Sequence, residues 1–441
     1  MKKIYFSLLS LVAWIGISNA QNLCTNGRYS GDVYLTYSVT SDIQYGLSKA
    51  LNNTMQIQLL DFYQPTGDTA QSRPLIIWAH GGSFFGGTKT DVDVAALSQR
   101  FTKKGFVCAS INYRVGFTPF DSSGIVPALL RAVQDMKASI RFFYKDRMTA
   151  NTYKIDTNNI FIGGSSAGAI TALHAAYLNK SCEINPYINQ VTLDSYGGIE
   201  GASGNQCYSS KVKGVINLCG ALGKYGWLEP GDVPLCSMHG TADAVVIYGR
   251  GKANPGIPML YLDGSRMIYA GTQVSGVNHN FYTWYGAPHV PYAGGSVSNL
   301  AYMDTTVNFV RDYLINRLGC PNPALLAPNT PAGLVLPYAY TTCTTNVSTP
   351  CNAVGIAETH GESLLFSLFP NPSNENIKIV FANNSLSHTI VLTDVAGKIL
   401  RNEKTEKDIY ILEKHSIASG IYFIKIIDSS GESSVHKLIF N

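Results

Sequence analysis

The sequence predicts an α/β protein, with a mostly parallel sheet covered by helices on both faces, followed by a small all-β sandwich. Continuous apolar runs such as residues 75–79 alternate with stretches of helical spacing such as residues 127–144. Apolar runs without alternation are typical of parallel strands buried on both faces. Of the 441 residues, 45% are hydrophobic, so the chain can bury a large core. After residue 363 the pattern changes to short strands separated by turns, which predicts the second domain. Its strands are predicted at residues 377–381, 389–393, 410–412, 421–427 and 436–440.

The N-terminus is predicted to be a signal peptide. Lys2 and Lys3 precede an almost wholly apolar stretch over residues 4–17, and Ala20 closes a small-residue cleavage site. The stretch is short for a membrane span of about 20 apolar residues. We therefore assign residues 1–20 to a leader and expect a secreted or cell-surface protein.

Charge and cysteine content limit the partners. The net charge is +4, and no basic run suits nucleic acid, so we expect no nucleic-acid partner. We also expect a monomeric protein. No set of cysteines and histidines has zinc spacing, so we expect no metal site.

Nine cysteines follow the leader, so at least one is unpaired. Three lie in apolar strand-like runs and are predicted to be buried thiols: Cys108, Cys219 and Cys236. Spacing does not determine connectivity, but three pairs would each close a loop or join the ends of the first domain. These expected pairs are Cys182–Cys207, Cys343–Cys351 and Cys24–Cys320.

The elements follow in chain order. Alternating residues over 31–63 predict an antiparallel pair of strands that leads into the sheet. Buried strands are predicted at residues 75–79, 106–111, 160–162, 212–218, 234–238 and 281–284. Helices are predicted at residues 93–104, 127–144, 167–176, 265–274 and 301–318. The first domain is assigned to residues 21–325, a linker to 326–362 and the β domain to 363–441.

One motif predicts chemistry directly. Gly164, Ser166 and Gly168 form G-x-S-x-G between an apolar strand and an alanine-rich helix. A sharp turn of this kind crowds the serine backbone, so its neighbours must lack side chains. The turn lifts the Ser166 hydroxyl out of the sheet at a helix N-terminus, which favours developing negative charge. Ser166 is therefore the predicted nucleophile.

A second motif follows the strand at residues 75–79. Gly81 and Gly82 allow backbone N–H groups to point at a substrate oxygen, and together with the N–H of Ala167 they predict an oxyanion hole. In an open α/β sheet such groups collect at the carboxyl ends of the strands. His80 precedes this turn and is interpreted as structural.

Two further loops supply an acid and a base. Asp243 follows the strand at residues 234–238 and is predicted to orient an imidazole, with Asp263 as its competitor. His289 is predicted to take the Ser166 proton and pass it to the leaving group. Its rival is His279, interpreted as a structural histidine at a helix end. His239 is also interpreted as structural.

The chain order Ser166, Asp243, His289 is that of α/β-hydrolases. With the motifs HGG, Asn-Tyr-Arg, GGSSAGA, HGTAD and GAPHVP, residues 21 to about 320 resemble the carboxylesterase/lipase branch of that superfamily. The chain departs from the branch at Ser165, where many such esterases carry Glu or Asp, and in the insertion at residues 182–207. The resemblance implies a serine esterase that works through an acyl-enzyme without a cofactor.

The β tail is similar to the C-terminal sorting domain of the type IX (Por) secretion system. The similarity rests on residues 369–372, 393–398, 419–423 and 437–440. It implies export across the outer membrane, with the secretion machinery as partner. A carbohydrate-binding module would need an exposed aromatic platform, and the tail has no tryptophan.

The leading hypothesis is a secreted serine carboxylic-ester hydrolase acting on a small molecule or polymer. Phe84, Phe85 and Trp284 are predicted to line its substrate site. An acyl, feruloyl or polyester group on an extracellular polymer would suit that location and aromatic content. The alternatives are a peptidase of the prolyl-oligopeptidase type and a non-catalytic surface binding protein.

Overall fold

The computed structural model describes residues 24–254, 260–321, 326–330, 336, 366–381, 387–395, 397–415, 417–429 and 433–441. The chain divides into two compact units, Met1–Cys351 and Asn352–Asn441, which are described separately. The predicted leader, the predicted Cys343–Cys351 pair and most of the predicted linker lie outside the described residues. The predicted domain boundaries therefore stay predictions.

The first unit alternates strands and helices. Its strands are β1 Tyr37–Lys49, β2 Met55–Pro65, β3 Arg73–Ala79, β4 Val107–Ile111, β5 Ile155–Ser165, β6 Gly214–Leu218, β7 Ala221–Leu222, β8 Leu235–Gly240, β9 Arg250–Lys252, β10 Tyr261–Gly264 and β11 His279–Trp284. Its α-helices are α1 Val92–Lys103, α2 Ser122–Met148, α3 Ala167–Tyr177, α4 Ser181–Ile184, α5 Gln190–Ser195, α6 Ser265–Ser275 and α7 Val297–Arg317. Each long helix falls within a few residues of its prediction.

Eight strands form the central sheet in the order β1-β2-β4-β3-β5-β6-β8-β11. The pairs β1–β2 and β2–β4 are antiparallel, and every other pair is parallel. The predicted antiparallel pair is present, but β1 begins at Tyr37 rather than at Val33. Tyr34 instead donates its N–H to the Lys103 carbonyl, so this stretch lies along the end of α1.

Helices cover both faces of the sheet. Along β3, Leu75, Ile77 and Ala79 belong to a core that includes residues of α2 and α3. Ile76 and Trp78 belong to a second core that includes residues of α1 and α7. Because alternate residues of a strand point to opposite faces, the continuous apolar run is buried on both sides. The predicted fold class is confirmed.

A small sheet in the order β7-β10-β9 was not predicted. Its strands are two to four residues long and carry too little periodicity to be recognised. The helices α4 and α5 lie within the polar insertion and were also missed. Within the described part of the chain, no helix has the length and apolar character needed to cross a membrane.

The cysteines follow the predictions in part. Cys24 and Cys320 form a disulfide with Cα atoms 5.5 Å apart, as predicted. Cys108, Cys219 and Cys236 are buried free thiols, also as predicted. The predicted Cys182–Cys207 pair is wrong, because Cys207 is free and exposed while Cys182 is disulfide-bonded elsewhere. The loop before Cys207 is held on β1 instead, since Asn205 Nδ2 donates to the Tyr45 carbonyl.

The second unit consists of two antiparallel sheets, β12-β13-β16 and β15-β14-β17-β18, around its own core. β15 was missed because its centre, Arg401–Lys404, is polar, as edge strands often are. β12 was also missed. The strands are β12 Phe366–Phe369, β13 Asn376–Phe381, β14 His388–Asp394, β15 Ile399–Thr405, β16 Ile409–Glu413, β17 Gly420–Asp428 and β18 Ser433–Phe440.

Candidate active site

Ser166 occupies a sharp turn between β5 and α3. Its backbone has φ 55° and ψ −119°, a strained conformation for a residue with a side chain. A Cβ on Gly164 would lie 2.4 Å from the Ala79 carbonyl oxygen, and one on Gly168 only 2.0 Å from it. Both glycines are therefore required for α3 to pack this closely against β3. The strain presents the Ser166 hydroxyl above the carboxyl end of the sheet.

The structure brings Ser166, His289 and Asp243 into one hydrogen-bonded chain. Ser166 Oγ lies 2.8 Å from His289 Nε2. His289 Nδ1 lies 2.6 Å from Asp243 Oδ2. The aspartate side chain is fully buried, whereas His289 keeps 19% of its side chain exposed. In this arrangement Nδ1–H donates to the carboxylate, which leaves Nε2 free to accept the serine proton.

The loops that carry Asp243 and His289 are joined through their backbones. The N–H of Ala242 donates to the Ala287 carbonyl, and the N–H of Gly286 donates to Thr241 Oγ1. A Cβ on Gly240 would lie 2.2 Å from the Ala287 carbonyl oxygen, so the two loops can meet only because residue 240 is glycine. The distance between Asp243 and His289 is thus set by contacts between their two loops.

Asp243 has four hydrogen-bond partners. Its Oδ1 accepts the N–H groups of Val245 and Val246, each at 2.9 Å. Its Oδ2 accepts from His289 and also from His239, whose Nε2 lies 3.1 Å away. Burial alone would raise the pKa of Asp243, but the hydrogen bonds from the two histidines hold that pKa well below its ordinary value. The carboxylate is therefore ionised throughout the neutral range.

The competing residues are engaged elsewhere. Asp263 pairs with Arg250 at 2.6 Å and accepts the N–H of Tyr225. His279 is the first residue of β11, not the end of a helix as expected. Its ring nitrogens face the hydroxyls of Ser237 and Thr272. Neither residue belongs to the chain that reaches Ser166.

The glycine turn after β3 lies beside the serine. A Cβ on Gly81 would lie 3.5 Å from Ser166 Cβ, and Gly82 has φ +101°. The N–H of Ala167 opens α3 and has no partner within that helix. Within the described residues, the N–H groups of Gly81 and Gly82 make no hydrogen bond to another backbone carbonyl. These three amides can therefore turn toward a substrate oxygen.

Tyr113, the tyrosine of the Asn-Tyr-Arg motif, orients that turn. Its hydroxyl lies 2.8 Å from the His80 carbonyl and 3.2 Å from the Gly81 carbonyl. His80 Nδ1 also contacts the Gly81 carbonyl at 2.7 Å, and the His80 ring stacks on Tyr113 with centroids 4.2 Å apart. Because C=O and N–H point in opposite directions across a trans peptide, these contacts aim the N–H groups of Gly81 and Gly82 the other way. Sequence reasoning missed this role.

Ser165, the residue before Ser166, connects the serine turn to the His289 loop. Ser165 Oγ lies 2.5 Å from Tyr292 Oη, and both side chains are buried. Position 165 is where the chain departs from the branch it resembles, and its side chain forms a hydroxyl pair with Tyr292. Tyr292 follows His289 by three residues, so the contact ties the His289 loop to the elbow.

A cavity of about 40 Å³ opens beside Ser166 and Ala167. Its walls are apolar and include Phe84, Ile125, Ile170, Val246 and Leu262. Phe85 comes directly after Phe84 in the sequence, and its side chain is 56% exposed. Trp284 does not line the cavity, contrary to expectation, because it is buried in the other core against Tyr292 and Tyr302. Among the described residues no cluster of acidic, histidine or cysteine side chains could hold a metal.

The sheet order and the elbow at the end of β5 are those of the α/β-hydrolase fold. Residues 60–253 match the family model BD-FAE, and residues 367–441 match the Secretion system C-terminal sorting domain. The predicted recognition is confirmed: the chain joins an esterase-type α/β-hydrolase domain to a C-terminal sorting domain. That sorting domain indicates export and a secreted or cell-surface location, as predicted.

Two curated relatives are esterases, and each matches this chain over a short segment. Gut esterase 1 of Caenorhabditis elegans is 27% identical over 128 residues, which are 29% of this chain and 20% of that protein. Carboxylesterase 3B of Mus musculus is 32% identical over 114 residues, which are 25% of this chain and 19% of that protein. The chain thus spans about a fifth of the length of these relatives.

Among solved structures, the apo form of Thermogutta terrifontis esterase 2 is 20% identical, with a TM-score of 0.47. The alignment covers 67% of this chain and all of that one.

Proposed function

We propose that the chain is a serine carboxylic-ester hydrolase in which Ser166, His289 and Asp243 form the catalytic triad. The observation that carries the proposal is the unbroken hydrogen-bonded chain from Ser166 Oγ through the imidazole of His289 to the carboxylate of Asp243, with distances of 2.8 and 2.6 Å. The three side chains come from separate loops. A role only in holding the fold together therefore explains this arrangement poorly.

The proposed reaction follows from these positions. His289 Nε2 accepts the Ser166 proton as Oγ attacks the ester carbonyl. The N–H groups of Gly81, Gly82 and Ala167 stabilise the resulting oxyanion. His289 then donates the proton to the departing alcohol, and water repeats the sequence to release the acid. Asp243 stays ionised and stabilises the imidazolium in both halves.

The cavity beside Ser166 supports a short acyl group. The leaving alcohol must lie next to His289, and His289 does not line the cavity, so the cavity takes the acyl side. A single water needs about 10–15 Å³ of such space, so 40 Å³ makes a small cavity. A short acyl group, such as acetyl or propionyl, suits a cavity of this size.

A larger acyl group would extend out of the cavity. Phe85, Phe117 and Phe120 form a cluster beside it, with ring centroids 5.1 to 6.2 Å apart. Phe85 and Phe120 are 56% and 52% exposed, so their rings could contact a feruloyl or polyester group. Rates on p-nitrophenyl esters of increasing chain length measure how much of the acyl group the cavity accepts.

The central experiment replaces Ser166 with alanine. We expect the rate on p-nitrophenyl butyrate to fall by about 10⁴-fold or more, with an unchanged melting temperature. Equal activity in the folded variant would overturn the assignment of the nucleophile. A wild-type protein that cleaves peptide anilides but not esters would favour the peptidase alternative, and one that cleaves neither would favour a binding protein. The expected absence of nucleic acid and the monomeric state stay predictions.

A further inference from the structure

His239, like His289, contacts the carboxylate of Asp243. It lies at the end of β8, four residues before Asp243, and its side chain is fully buried. Its Nε2 is 3.1 Å from Asp243 Oδ2 and 2.9 Å from the Val246 carbonyl. Neither acceptor can donate a proton, so Nε2 must carry the hydrogen. One carboxylate oxygen therefore receives N–H groups from two imidazoles.

The other side of the His239 ring is held equally firmly. Its Nδ1 lies 2.8 Å from the hydroxyl of Ser265, the first residue of α6. Ser265 Oγ in turn accepts from Asn217 Nδ2 at 2.9 Å. The Asn217 amide is oriented because its Oδ1 accepts the N–H of Gly220. Ser265 can then give its own proton to Nδ1, which suits the tautomer that carries its hydrogen on Nε2.

Two chains of hydrogen bonds end on the Asp243 carboxylate. In the first chain Asn217 on β6 donates to Ser265, Ser265 donates to His239, and His239 donates to Asp243. In the second chain Ser166 donates to His289, which donates to the same carboxylate. A hydrogen bond to an ionised group is roughly twice as strong as a neutral one. The imidazole of His239 thus holds the Asp243 carboxylate in place, and its N–H partly offsets the negative charge of that carboxylate.

We propose that His239 is a positioning residue of the reaction: an imidazole whose Nε2–H holds the Asp243 carboxylate toward His289 and limits the charge that the carboxylate presents to His289. The proposal rests on the proposed function. It goes beyond the triad, because it assigns a role in the reaction to a histidine that touches neither the substrate nor the nucleophile.

The direction of the effect follows from the shared oxygen. Without the His239 N–H, the carboxylate presents more charge to His289 and stabilises its protonated form. The base then stays protonated to higher pH, and the acid limb of the kcat/KM profile moves upward. Among the residues that the structure describes, the other titratable groups facing Asp243 and His239 are Cys219, Tyr292 and Tyr248. Burial raises the pKa of all three, so they stay neutral between pH 5 and 8.

The test compares two substitutions on p-nitrophenyl acetate. His239→Leu removes the N–H donor, and we expect the acid limb to rise by about 0.5–1 pH unit and kcat to fall about 10-fold. His239→Gln keeps an amide N–H near the position of Nε2, and we expect it to return the limb to within about 0.3 pH unit of the wild type. A role confined to packing would lower the melting temperature without moving the limb.

The matched control is His174→Leu. His174 is buried in α3, with its ring nitrogens bonded to the Ile170 carbonyl and the Gly223 N–H, and it has no contact with Asp243. We expect this variant to lose stability and to keep the wild-type limb. If His239→Leu does not fold, Ser265→Ala removes the partner of Nδ1 instead, with a smaller shift in the same direction.

The proposal is overturned if the acid limb of the kcat/KM profile lies at the wild-type pH and kcat is within twofold of the wild-type value. This criterion applies to the folded His239→Leu variant, or to Ser265→Ala in its place. Failure of the proposed function gives a different result, since the wild-type protein itself would then hydrolyse no ester.

Discussion

Tyr113→Phe is expected to damage catalysis from a position that touches no substrate. The substitution removes one hydroxyl and keeps the ring that stacks on His80. The Gly81 carbonyl would keep its contact with His80 Nδ1 at 2.7 Å. The His80 carbonyl would lose the hydroxyl at 2.8 Å, so the peptide that carries the Gly81 N–H becomes free to rotate. The Gly81 carbonyl loses only the longer contact with the hydroxyl, at 3.2 Å, so the perturbation falls mainly on the first of the two glycine peptides.

The size of the effect is bounded on both sides. Complete loss of one oxyanion donor typically costs about 100- to 1,000-fold in kcat. Because a loosened peptide still samples the aligned orientation, we expect a fall of about 10- to 30-fold, with KM within about twofold. The lost hydrogen bond should also lower the free energy of unfolding by about 0.5–1.5 kcal/mol.

Steady-state kinetics on p-nitrophenyl acetate, with thermal or urea unfolding of the same samples, measure both effects. Tyr177→Phe is the matched control, because the Tyr177 hydroxyl also donates to a backbone carbonyl, that of Val233, at 2.9 Å. We expect the control to lose similar stability and to keep its kcat. A Tyr113→Phe variant that also keeps its kcat would refute the argument that the hydroxyl aims the oxyanion donors.

Three further changes test other parts of the first unit. Tyr292→Phe breaks the contact with Ser165, and we expect kcat to fall about 3- to 10-fold as the His289 loop loosens, measured in the same assay. Burial raises the pKa of Glu183 from 4.5 to about 7. Between these two values the native state keeps the Glu183 carboxyl protonated, whereas the unfolded chain loses the proton. The free energy of unfolding therefore falls as pH rises across that interval, and Glu183→Gln should flatten the fall in urea titrations at pH 5 and 8. An unchanged slope would contradict this. Replacing Cys24 and Cys320 with serine should lower the unfolding free energy by about 2–5 kcal/mol. Because Cys182 is also disulfide-bonded, reductant should then lower the variant's melting temperature less than it lowers that of the wild type.

The sequence predicted those features that depend on local rules. The elbow was predictable because G-x-S-x-G between a strand and a helix has one workable geometry, and the two glycine contacts with the Ala79 carbonyl show why. The order of Ser166, Asp243 and His289 along the chain was sufficient to propose the three groups that the structure brings together.

The remaining features depend on contacts between distant segments. Nothing in the local sequence around Tyr113 indicates that its hydroxyl reaches the turn after β3. Likewise, HGTAD places His239 before Asp243, but only the turn of the loop brings the ring back to the carboxylate. Cys182 and Cys207 bracket an insertion in sequence, yet the loop before Cys207 packs on β1. Trp284 was assigned to the substrate site from its aromatic character, although it faces the other core.

The bond between Cys24 and Cys320 closes a covalent ring of chain that contains Ser166, Asp243 and His289. A single protease cut inside this ring leaves both pieces attached, so the nicked protein would migrate as one band until reductant is added. Any cut after Cys320, including one that releases the sorting tail, leaves the ring intact. Trimming at the cell surface can therefore remove the export signal while all three groups of the proposed triad remain in one closed chain.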